Sequence, residues 1–357
     1  MYNFNLGNMK KYIITIFSLC ITISVAFAQN PKVVVVSKNV PRAEVAYNEA
    51  VALYNQKKYD AVIVYLNNAL KINSNYKNAY ILLANIYQDK GNQLEAIRTW
   101  LYLSERLQHK DSAYYMISKI YYDMKNYNSS LEYAKMAIAK DENNYKTHYL
   151  SGLSHFNLGR YEEVIEDFTR ALTLKETSDE IYNNRGSAYY KIGYFEDAIE
   201  DYNEAIRING ISLYYTNKGS AEYALENIEQ AIDDFSTAIQ LENNNYQAYL
   251  NRGVAKIARF DYKSAVEDFS KCIQIDNKSP LGYNYRGIAN FKLKKYMEAL
   301  IDFDMAIVLN PKYGEAYLHR GNTNEMLKNP QFACEDWQKA ASMGITKAKE
   351  YTNNQCK

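Results

Sequence analysis

A period of 34 residues is the feature that most constrains the fold of this chain. One column of the repeat holds mostly small residues, nine times over, at intervals of 34 residues with a single interval of 33. A second column, nineteen residues upstream, holds only Ala, Ser or Gly. Such a period indicates an array of similar units rather than the two or three domains that 357 residues otherwise suggest. The first column is Ala69, Leu103, Ala137, Ala171, Ala205, Ala238, Cys272, Ala306 and Ala340. The second column, called here the Gly column, is Ala50, Ala84, Ser118, Gly152, Gly186, Gly219, Gly253, Gly287 and Gly321.

Two further columns indicate the secondary structure of the unit. A mostly bulky column lies three residues before the first column, and a mostly Tyr column lies four residues before the Gly column. The columns recur at helical spacing, as in Tyr182, Gly186 and Tyr189, so each unit is predicted to be two helices. We expect each small residue of the Gly column to face an aromatic residue of another unit, which lets two helix axes approach closely. The bulky column is Leu66, Trp100, Ala134, Phe168, Tyr202, Phe235, Phe269, Phe303 and Trp337.

With these columns the sequence resembles the tetratricopeptide repeat family, whose unit is a 34-residue helix-turn-helix. The resemblance covers about residues 43–347 and implies an all-α solenoid of nine stacked units forming a right-handed superhelix. Residues 111–144 depart from the pattern at Ser130 and Ala134, so we expect looser packing there. The predicted repeats 1 to 9 are residues 43–76, 77–110, 111–144, 145–178, 179–211, 212–245, 246–279, 280–313 and 314–347.

The N-terminal segment is predicted to direct export. Residues 1–28 combine Lys10 and Lys11, an uncharged run and an Ala-Phe-Ala sequence ending at Ala28, which is the order of a secretory signal peptide. We therefore expect the protein in the periplasm, in the outer envelope or secreted, with an uncleaved signal anchor as the alternative. Residues 29–42 place prolines around a run of valines and are predicted to be an extended linker.

Residues 345–357 are predicted to be a capping helix and tail. The sequence from Ala333 to Cys356 resembles the C-terminal ending of bacterial extracytoplasmic members of the family. Export permits a disulfide between Cys334 and Cys356, which would close a loop of about 22 residues. Cys272 occupies a small-residue column and is expected to be a buried free thiol.

A regular set of charges predicts ion pairs inside the array. A basic residue precedes the Gly column in repeats 5 to 9, and an Asp precedes the bulky column in repeats 4 to 9. Because the Asp series begins one repeat earlier, we expect each Asp to pair with the base of the following repeat, as Asp167 with Arg185 and Asp201 with Lys218. Such partly buried pairs fix register more than they add stability. The bases are Arg185, Lys218, Arg252, Arg286 and Arg320. The acids are Asp167, Asp201, Asp234, Asp268, Asp302 and Asp336.

Composition and motifs argue against catalysis. Lys and Arg total 42 against 41 Asp and Glu, so the net charge of +1 gives no reason to expect a nucleic-acid partner. The sequence has no phosphate-binding loop, zinc-protease motif or nucleophile elbow. His148 and His155 lie seven residues apart in columns that are aromatic elsewhere, so we expect both to pack in the core. We therefore expect no enzyme activity, no cofactor and no metal.

The first helix of each repeat is predicted to line the inner wall of the superhelix. Aromatic and polar residues on this wall would suit an extended peptide or an amphipathic helix. The alternative is that the aromatics pack into the core, above all from repeat 6 on, where the third residue after the Gly column turns polar, as at Glu222 and Lys256. The candidate partner-binding residues are Tyr47, Tyr54, Tyr115, Lys119, Tyr122, Tyr149, Phe156, Asn183, Tyr190 and Tyr223.

These observations predict a non-enzymatic scaffold of the bacterial cell envelope that binds a protein partner in its groove. One alternative is a carbohydrate- or peptidoglycan-binding module that uses the same tyrosines. Another is an accessory subunit of an envelope enzyme or secretion complex. Contact with a membrane would come only from an uncleaved signal segment.

Overall fold

The computed structural model describes residues 42–106 and 110–356. Over these residues the chain forms nineteen α-helices and no strand, which confirms the all-α prediction. The predicted signal segment and the predicted linker up to residue 41 lie outside the described residues. The helices are α1 Arg42–Asn55, α2 Tyr59–Ile72, α3 Lys77–Asp89, α4 Gln93–Arg106, α5 Lys110–Asp123, α6 Tyr127–Ile138, α7 Tyr145–Asn157, α8 Tyr161–Leu174, α9 Asp179–Lys191, α10 Phe195–Ile208, α11 Ser212–Ala224, α12 Ile228–Leu241, α13 Tyr246–Ala258, α14 Tyr262–Ile275, α15 Pro280–Lys292, α16 Tyr296–Leu309, α17 Gly314–Met326, α18 Pro330–Ser342 and α19 Thr346–Gln355.

The chain divides into two compact bodies inside α3, one ending at Ile86 and the other beginning at Tyr87. In the first body α1 packs on α2, and Ala50 and Leu66 are buried. In the second body, from α5 on, the first helix of each repeat packs on its own second helix and on the second helix of the preceding repeat. Most first helices also contact the first helix of the next repeat. This is the helix-pair stacking of a solenoid.

In repeats 4 to 9 the bulky column covers the Gly column of the same repeat. A methyl group on Gly253 would lie 2.6 Å from Phe269 Cε1, and one on Gly321 would lie 2.7 Å from Trp337 Cδ1. The prediction that Gly faces an aromatic of another repeat is therefore wrong. A short turn folds the second helix back on the first, so residues sixteen apart lie opposite each other. The absent side chain allows the two helices of one pair to approach closely.

Each first helix from α1 to α17 is followed by a residue in the left-handed conformation, seven positions after the Gly column. Gly occupies this position in three repeats, while Phe260, with φ of 66°, is the bulkiest exception. Helices commonly end with a residue in the left-handed conformation, because this conformation reverses the chain and lets the following N–H groups bond to the last carbonyl groups of the helix. The nine residues are Lys57, Gly91, Lys125, Gly159, Gly193, Glu226, Phe260, Lys294 and Lys328.

Repeat 3 replaces aromatic packing with hydroxyl groups. Ser118 Oγ donates to the Ser130 carbonyl at 2.7 Å, and the hydroxyls of Ser130 and Ser154 lie 2.9 Å apart. All three side chains are buried, and Ala134 occupies the bulky column. A chain of hydrogen bonds thus satisfies the polar groups at the point where looser packing was predicted.

The C-terminal helix α19 closes the array. Its Ala348 is buried in the same cluster as Trp337, and the Tyr351 ring lies 5.1 Å from the Trp337 ring. Cys334 and Cys356 are joined by a disulfide with a Cα–Cα distance of 5.5 Å. Across the part of the chain that the structure describes, every helix is too short or too polar to cross a bilayer.

Candidate functional site

The candidate partner-binding residues lie on the first helices, and most are half-buried. Asn183 differs, since it is buried. The aromatic residue four positions after the Gly column packs on the residue that begins the next helix, as Tyr122 does on Tyr127 with ring centroids 5.6 Å apart. Phe156 on Tyr161 repeats this arrangement. The half-buried members are Tyr47, Tyr54, Tyr115, Lys119, Tyr122, Tyr149, Phe156, Tyr190 and Tyr223.

These aromatic rings therefore stabilise their own repeat with one face and leave part of the ring accessible. Tyr190 packs on Phe195 at 5.4 Å in the same way. In the first body, the Tyr47 ring meets the Tyr76 ring edge-on at 5.1 Å. Amphipathic Tyr rings of this kind can add contact area for a partner at little entropic cost.

Burial makes the tyrosine hydroxyls of this surface poor acids. Burial raises the pKa of Tyr115 to about 12. Burial, together with the nearby Glu180 carboxylate, also raises the pKa of Tyr149. The Tyr122 hydroxyl has a raised pKa for the same reason, although it accepts a hydrogen bond from Asn157. All three are neutral at physiological pH and can act as hydrogen-bonding groups.

An amide network, which the sequence analysis missed, connects successive first helices. Asn184 Nδ2 donates to the Tyr149 hydroxyl at 3.1 Å, and Asn217 Nδ2 donates to Asn183 Oδ1 at 2.8 Å. Further along, Asn251 Nδ2 donates to Ser220 Oγ at 3.1 Å. The donors are the residues two positions before the Gly column in repeats 5 to 7. Three successive Asn in one column were the sequence signal, because polar residues in a packed helix face require partners.

Each of the five predicted bases pairs with the predicted Asp of its own repeat, so the predicted pairing with the Asp of the preceding repeat is wrong. Arg185 donates to both carboxylate oxygens of Asp201 at 2.8 and 2.7 Å. The same residues sixteen apart pair in repeats 6 to 9. The hairpin register that places Gly against its own aromatic also places the base against its own Asp. The pairs are Arg185–Asp201, Lys218–Asp234, Arg252–Asp268, Arg286–Asp302 and Arg320–Asp336.

The arginines also reach the preceding repeat, through a different residue. Arg185 Nη1 donates to Thr169 Oγ1 at 2.9 Å, and Arg252 Nη1 donates to Ser236 Oγ at 3.0 Å. In the last repeat Asp304 takes this position and accepts from Arg320 at 2.6 Å. Each guanidinium therefore fastens the second helices of two successive repeats, which is an arrangement that the planar fork of Arg suits.

Asp167 pairs with His155 of its own repeat, with Nδ1 and Oδ2 2.9 Å apart. His155 therefore forms a polar contact, and the expectation that it only packs in the core is corrected. The same position three residues after the Gly column supplies a second partner to the Asp of later repeats. Lys256 lies 2.8 Å from Asp268, and Asn290 donates to Asp302 at 3.1 Å. From repeat 7 on, the polar residue in this column therefore supports the ion pair, whereas Glu222 of repeat 6 accepts a hydrogen bond from Asn227 instead.

Burial is the largest influence on the pKa of two of these carboxyl groups. It raises the pKa of Asp201 and of Asp336, and the bound arginine reduces the rise in each case. The pKa of Arg185 is raised by Asp201, which offsets the effect of burial on the guanidinium. Buried, mutually satisfied charges of this kind hold structure rather than perform chemistry.

The remaining candidates for chemistry are occupied structurally. His148 is buried, and its Nε2 donates to the Glu142 carbonyl at 2.9 Å. Cys272 is a buried free thiol, and burial raises its pKa to about 12. Within residues 42–106 and 110–356, no group of three or more His, Cys, Asp or Glu side chains is arranged to hold a metal ion.

Comparisons with known proteins agree with the geometry of the helix pairs. A model described as TPR repeat matches residues 152–193 and 219–257. Two models described as tetratricopeptide repeat match residues 180–210 and residues 111–144 and 246–279. No curated protein matches the chain.

Solved structures share the fold at low sequence identity. A tetratricopeptide repeat protein from Parabacteroides merdae ATCC 43184 is 23% identical with a TM-score of 0.56, over 70% of this chain and 99% of that chain. The Cut9–Hcn1 hetero-tetramer of APC/C is 13% identical with a TM-score of 0.54, over 97% and 82%. PilF of Pseudomonas aeruginosa is 16% identical with a TM-score of 0.52, over 60% and 99%.

The fold defines the chain as a solenoid of stacked helix pairs. The repeat models match residues 111–144, 152–210 and 219–279, so the chain is a protein with many tetratricopeptide repeats.

Proposed function

We propose that this protein is a non-enzymatic scaffold that binds an extended segment of a partner protein along the first helices of repeats 3 to 7. Repeats of this family support a protein-interaction role. The described carboxylates and arginines of the ion pairs neutralise one another inside the array, which favours a structural role for them. We further propose that the protein acts in the cell envelope, on the strength of the signal-like order of residues 1–28.

The amide network across the first helices is the observation that carries the proposal. An Asn side chain offers both a donor and an acceptor, which match the N–H and C=O of a peptide group. Packed helices lie about 8–10 Å apart and an extended chain rises about 3.3 Å per residue, so successive repeats would meet a peptide about every third residue. Asn184 and Asn217 are each 7% exposed and Asn251 is half-buried, so the half-buried rings of Tyr149 and Tyr190 supply most of the accessible area of this surface.

Photocrosslinking in cells tests the proposed surface. A photoreactive amino acid replaces Tyr190 on the first-helix face or, as a matched control in the same repeat, Tyr194, which is exposed in the following turn. We expect a crosslinked species from position 190 that is absent from position 194, because only the face formed by the first helices would contact the partner.

Digestion of the crosslinked species identifies its class. Loss of the added mass on protease treatment of the crosslinked fragment supports a protein partner. Loss of the added mass on treatment with a muramidase would overturn the proposal and assign the surface to peptidoglycan. Identical products from both positions, or none from position 190, would also overturn it.

A further inference from the structure

The outer face of α16 carries an exposed apolar stripe. Met297, Ile301, Met305 and Val308 are 56%, 60%, 37% and 69% exposed. Their spacing of four, four and three residues places them in one row along the helix. Exposed apolar residues are common singly, whereas a contiguous row of four indicates a surface that another molecule covers.

The repeats themselves provide the control for this stripe. At the same four positions, the second helices of repeats 4 to 7 and of repeat 9 carry only polar or charged residues. An apolar row in repeat 8 is therefore not required by the fold of the repeat. The equivalent residues are Glu162, Glu166, Arg170 and Thr173 in repeat 4, Glu196, Glu200, Glu204 and Arg207 in repeat 5, Glu229, Asp233, Thr237 and Gln240 in repeat 6, Lys263, Glu267, Lys271 and Gln274 in repeat 7, and Gln331, Glu335, Lys339 and Ser342 in repeat 9.

Charges flank the stripe on both sides in the same order. On α14 the exposed Glu267 and Lys271 stand level with Ile301 and Met305, and on α18 the exposed Glu335 and Lys339 stand at the same two levels. Each flank therefore carries an acid at one level and a base one helical turn further on. The charges on this face are therefore complementary to those of a second copy that is rotated by 180°, so that its helices run antiparallel to the first.

We propose that this face binds a second copy of the chain in a two-fold, antiparallel dimer through α16. In this arrangement Ile301 of one copy packs on Met305 of the other, and Met297 packs on Val308. On the α14 flank Glu267 faces Lys271 of the other copy, and on the α18 flank Glu335 faces Lys339. A parallel two-fold arrangement would instead place Glu267 against Glu335, and Lys271 against Lys339.

The apolar stripe and the flanking charges have different roles in this dimer. The stripe supplies most of the free energy of association, because burial of apolar area is the main favourable term. The four exposed ion pairs add little energy each but select the antiparallel orientation over the parallel one. The interface uses the second helices, so it is independent of the partner-binding surface proposed for the first helices.

Analytical ultracentrifugation of the purified protein tests the dimer. Ile301→Asp places a charge in the middle of the stripe and is expected to raise the dimer dissociation constant at least tenfold. Val64→Asp is the matched control, since Val64 occupies the same column of repeat 1 and is 57% exposed. It is expected to leave the dissociation constant unchanged, and circular dichroism checks that both variants fold.

A charge exchange tests the orientation. The double variants Glu267→Lys/Glu335→Lys and Lys271→Glu/Lys339→Glu each oppose like charges in the antiparallel dimer, so each alone is expected to dimerise more weakly than the wild type. An equimolar mixture restores opposite charges at all four contacts and is expected to form a heterodimer.

Three results would overturn the proposal. One is a wild-type chain that stays monomeric up to about 100 µM, a weak limit for a specific dimer. The second is equal effects of Ile301→Asp and Val64→Asp. The third is a monomer that binds lipid vesicles through the stripe, with binding lost in Ile301→Asp, which would assign the face to a lipid surface.

Discussion

Removing the arginine of one ion pair should cost far more in repeat 5 than in repeat 7. The Asp201 side chain is 5% exposed and is paired with Arg185. The Asp268 side chain is equally buried at 4%, but it is paired with both Arg252 and Lys256. Met can replace either arginine at similar volume without a charge. The Arg185→Met variant therefore leaves a buried carboxylate without its cation, whereas the Arg252→Met variant does not.

The expected magnitudes follow from this difference. Removing one partner of a buried pair costs about 3–5 kcal/mol, because the remaining charge stays desolvated. The Arg185 side chain is partly accessible, so water relieves some of this penalty and we expect about 3 kcal/mol for Arg185→Met. For Arg252→Met, where Lys256 still neutralises Asp268, loss of hydrogen bonds alone predicts about 1–2 kcal/mol.

Urea unfolding followed by circular dichroism measures the two losses. Repeat arrays can open locally, so amide hydrogen exchange in α9 and α10 provides a second, local readout. Arg207→Met is the control in the same repeat, because Arg207 forms an exposed pair with Glu204 and its loss should leave the transition unchanged.

The loss in Arg185→Met should also depend on pH. Burial already raises the pKa of Asp201, and loss of Arg185 raises it further. An acid whose pKa is higher in the folded state stabilises the fold below its unfolded pKa, and this contribution is lost as the pH rises through the folded pKa. The deficit of Arg185→Met should therefore shrink as the pH is lowered from 7 towards 4. Equal losses in the two arginine variants, or a deficit that grows on acidification, would refute this reasoning.

Two further predictions concern packing and the C-terminal end. Gly253→Ala is expected to destabilise the protein by about 1–3 kcal/mol, because its methyl group would meet Phe269 at 2.6 Å, and Gly253→Ala/Phe269→Leu should recover part of the loss in urea unfolding. Cys356→Ser opens the bridge to Cys334 and is expected to cost up to about 3 kcal/mol, with faster amide exchange confined to α19 and its neighbours.

Either result could contradict the structure. A Gly253→Ala variant as stable as the wild type would mean that Phe269 can move away at no cost. Equal amide exchange in Cys356→Ser and in the wild type would mean that Trp337 and Tyr351 hold α19 without the bridge.

The helices could be predicted from the sequence because period and spacing are local properties. The nine repeats of small and aromatic residues required a helix pair, and the structure has one at each. The ion-pair partners could not be predicted by comparing the repeats in which the Asp and the basic residues begin. That comparison takes no account of the short turn within each repeat, which decides which residues of the two helices lie opposite each other. The spacing of sixteen residues from Gly253 to Phe269 is also that from Arg252 to Asp268, so the hairpin register was available in the sequence.

The binding surface was less predictable, because half-burial depends on side-chain rotamers. Tyr122 and Phe156 were expected on an inner wall, and the structure shows that each packs on the start of the next helix. The role of His155 could have been found from its distance of twelve residues to Asp167, since Asn290 and Asp302 have the same separation. The Asn column is present in the sequence, but its hydrogen-bond partners lie on the preceding first helix and are identified only by the structure.

The guanidinium contacts depend only on the residue spacing within and between neighbouring repeats, so a repeat can be duplicated together with its contacts. Arg252 binds an Asp sixteen residues ahead and a hydroxyl sixteen residues behind, and neither distance refers to any other part of the chain. A tandem duplication of one 34-residue segment would bring along both halves of each contact. Such an array can lengthen or shorten by unequal recombination without needing new contacts between repeats. The length of the interaction surface can therefore evolve separately from the residues that bind the partner.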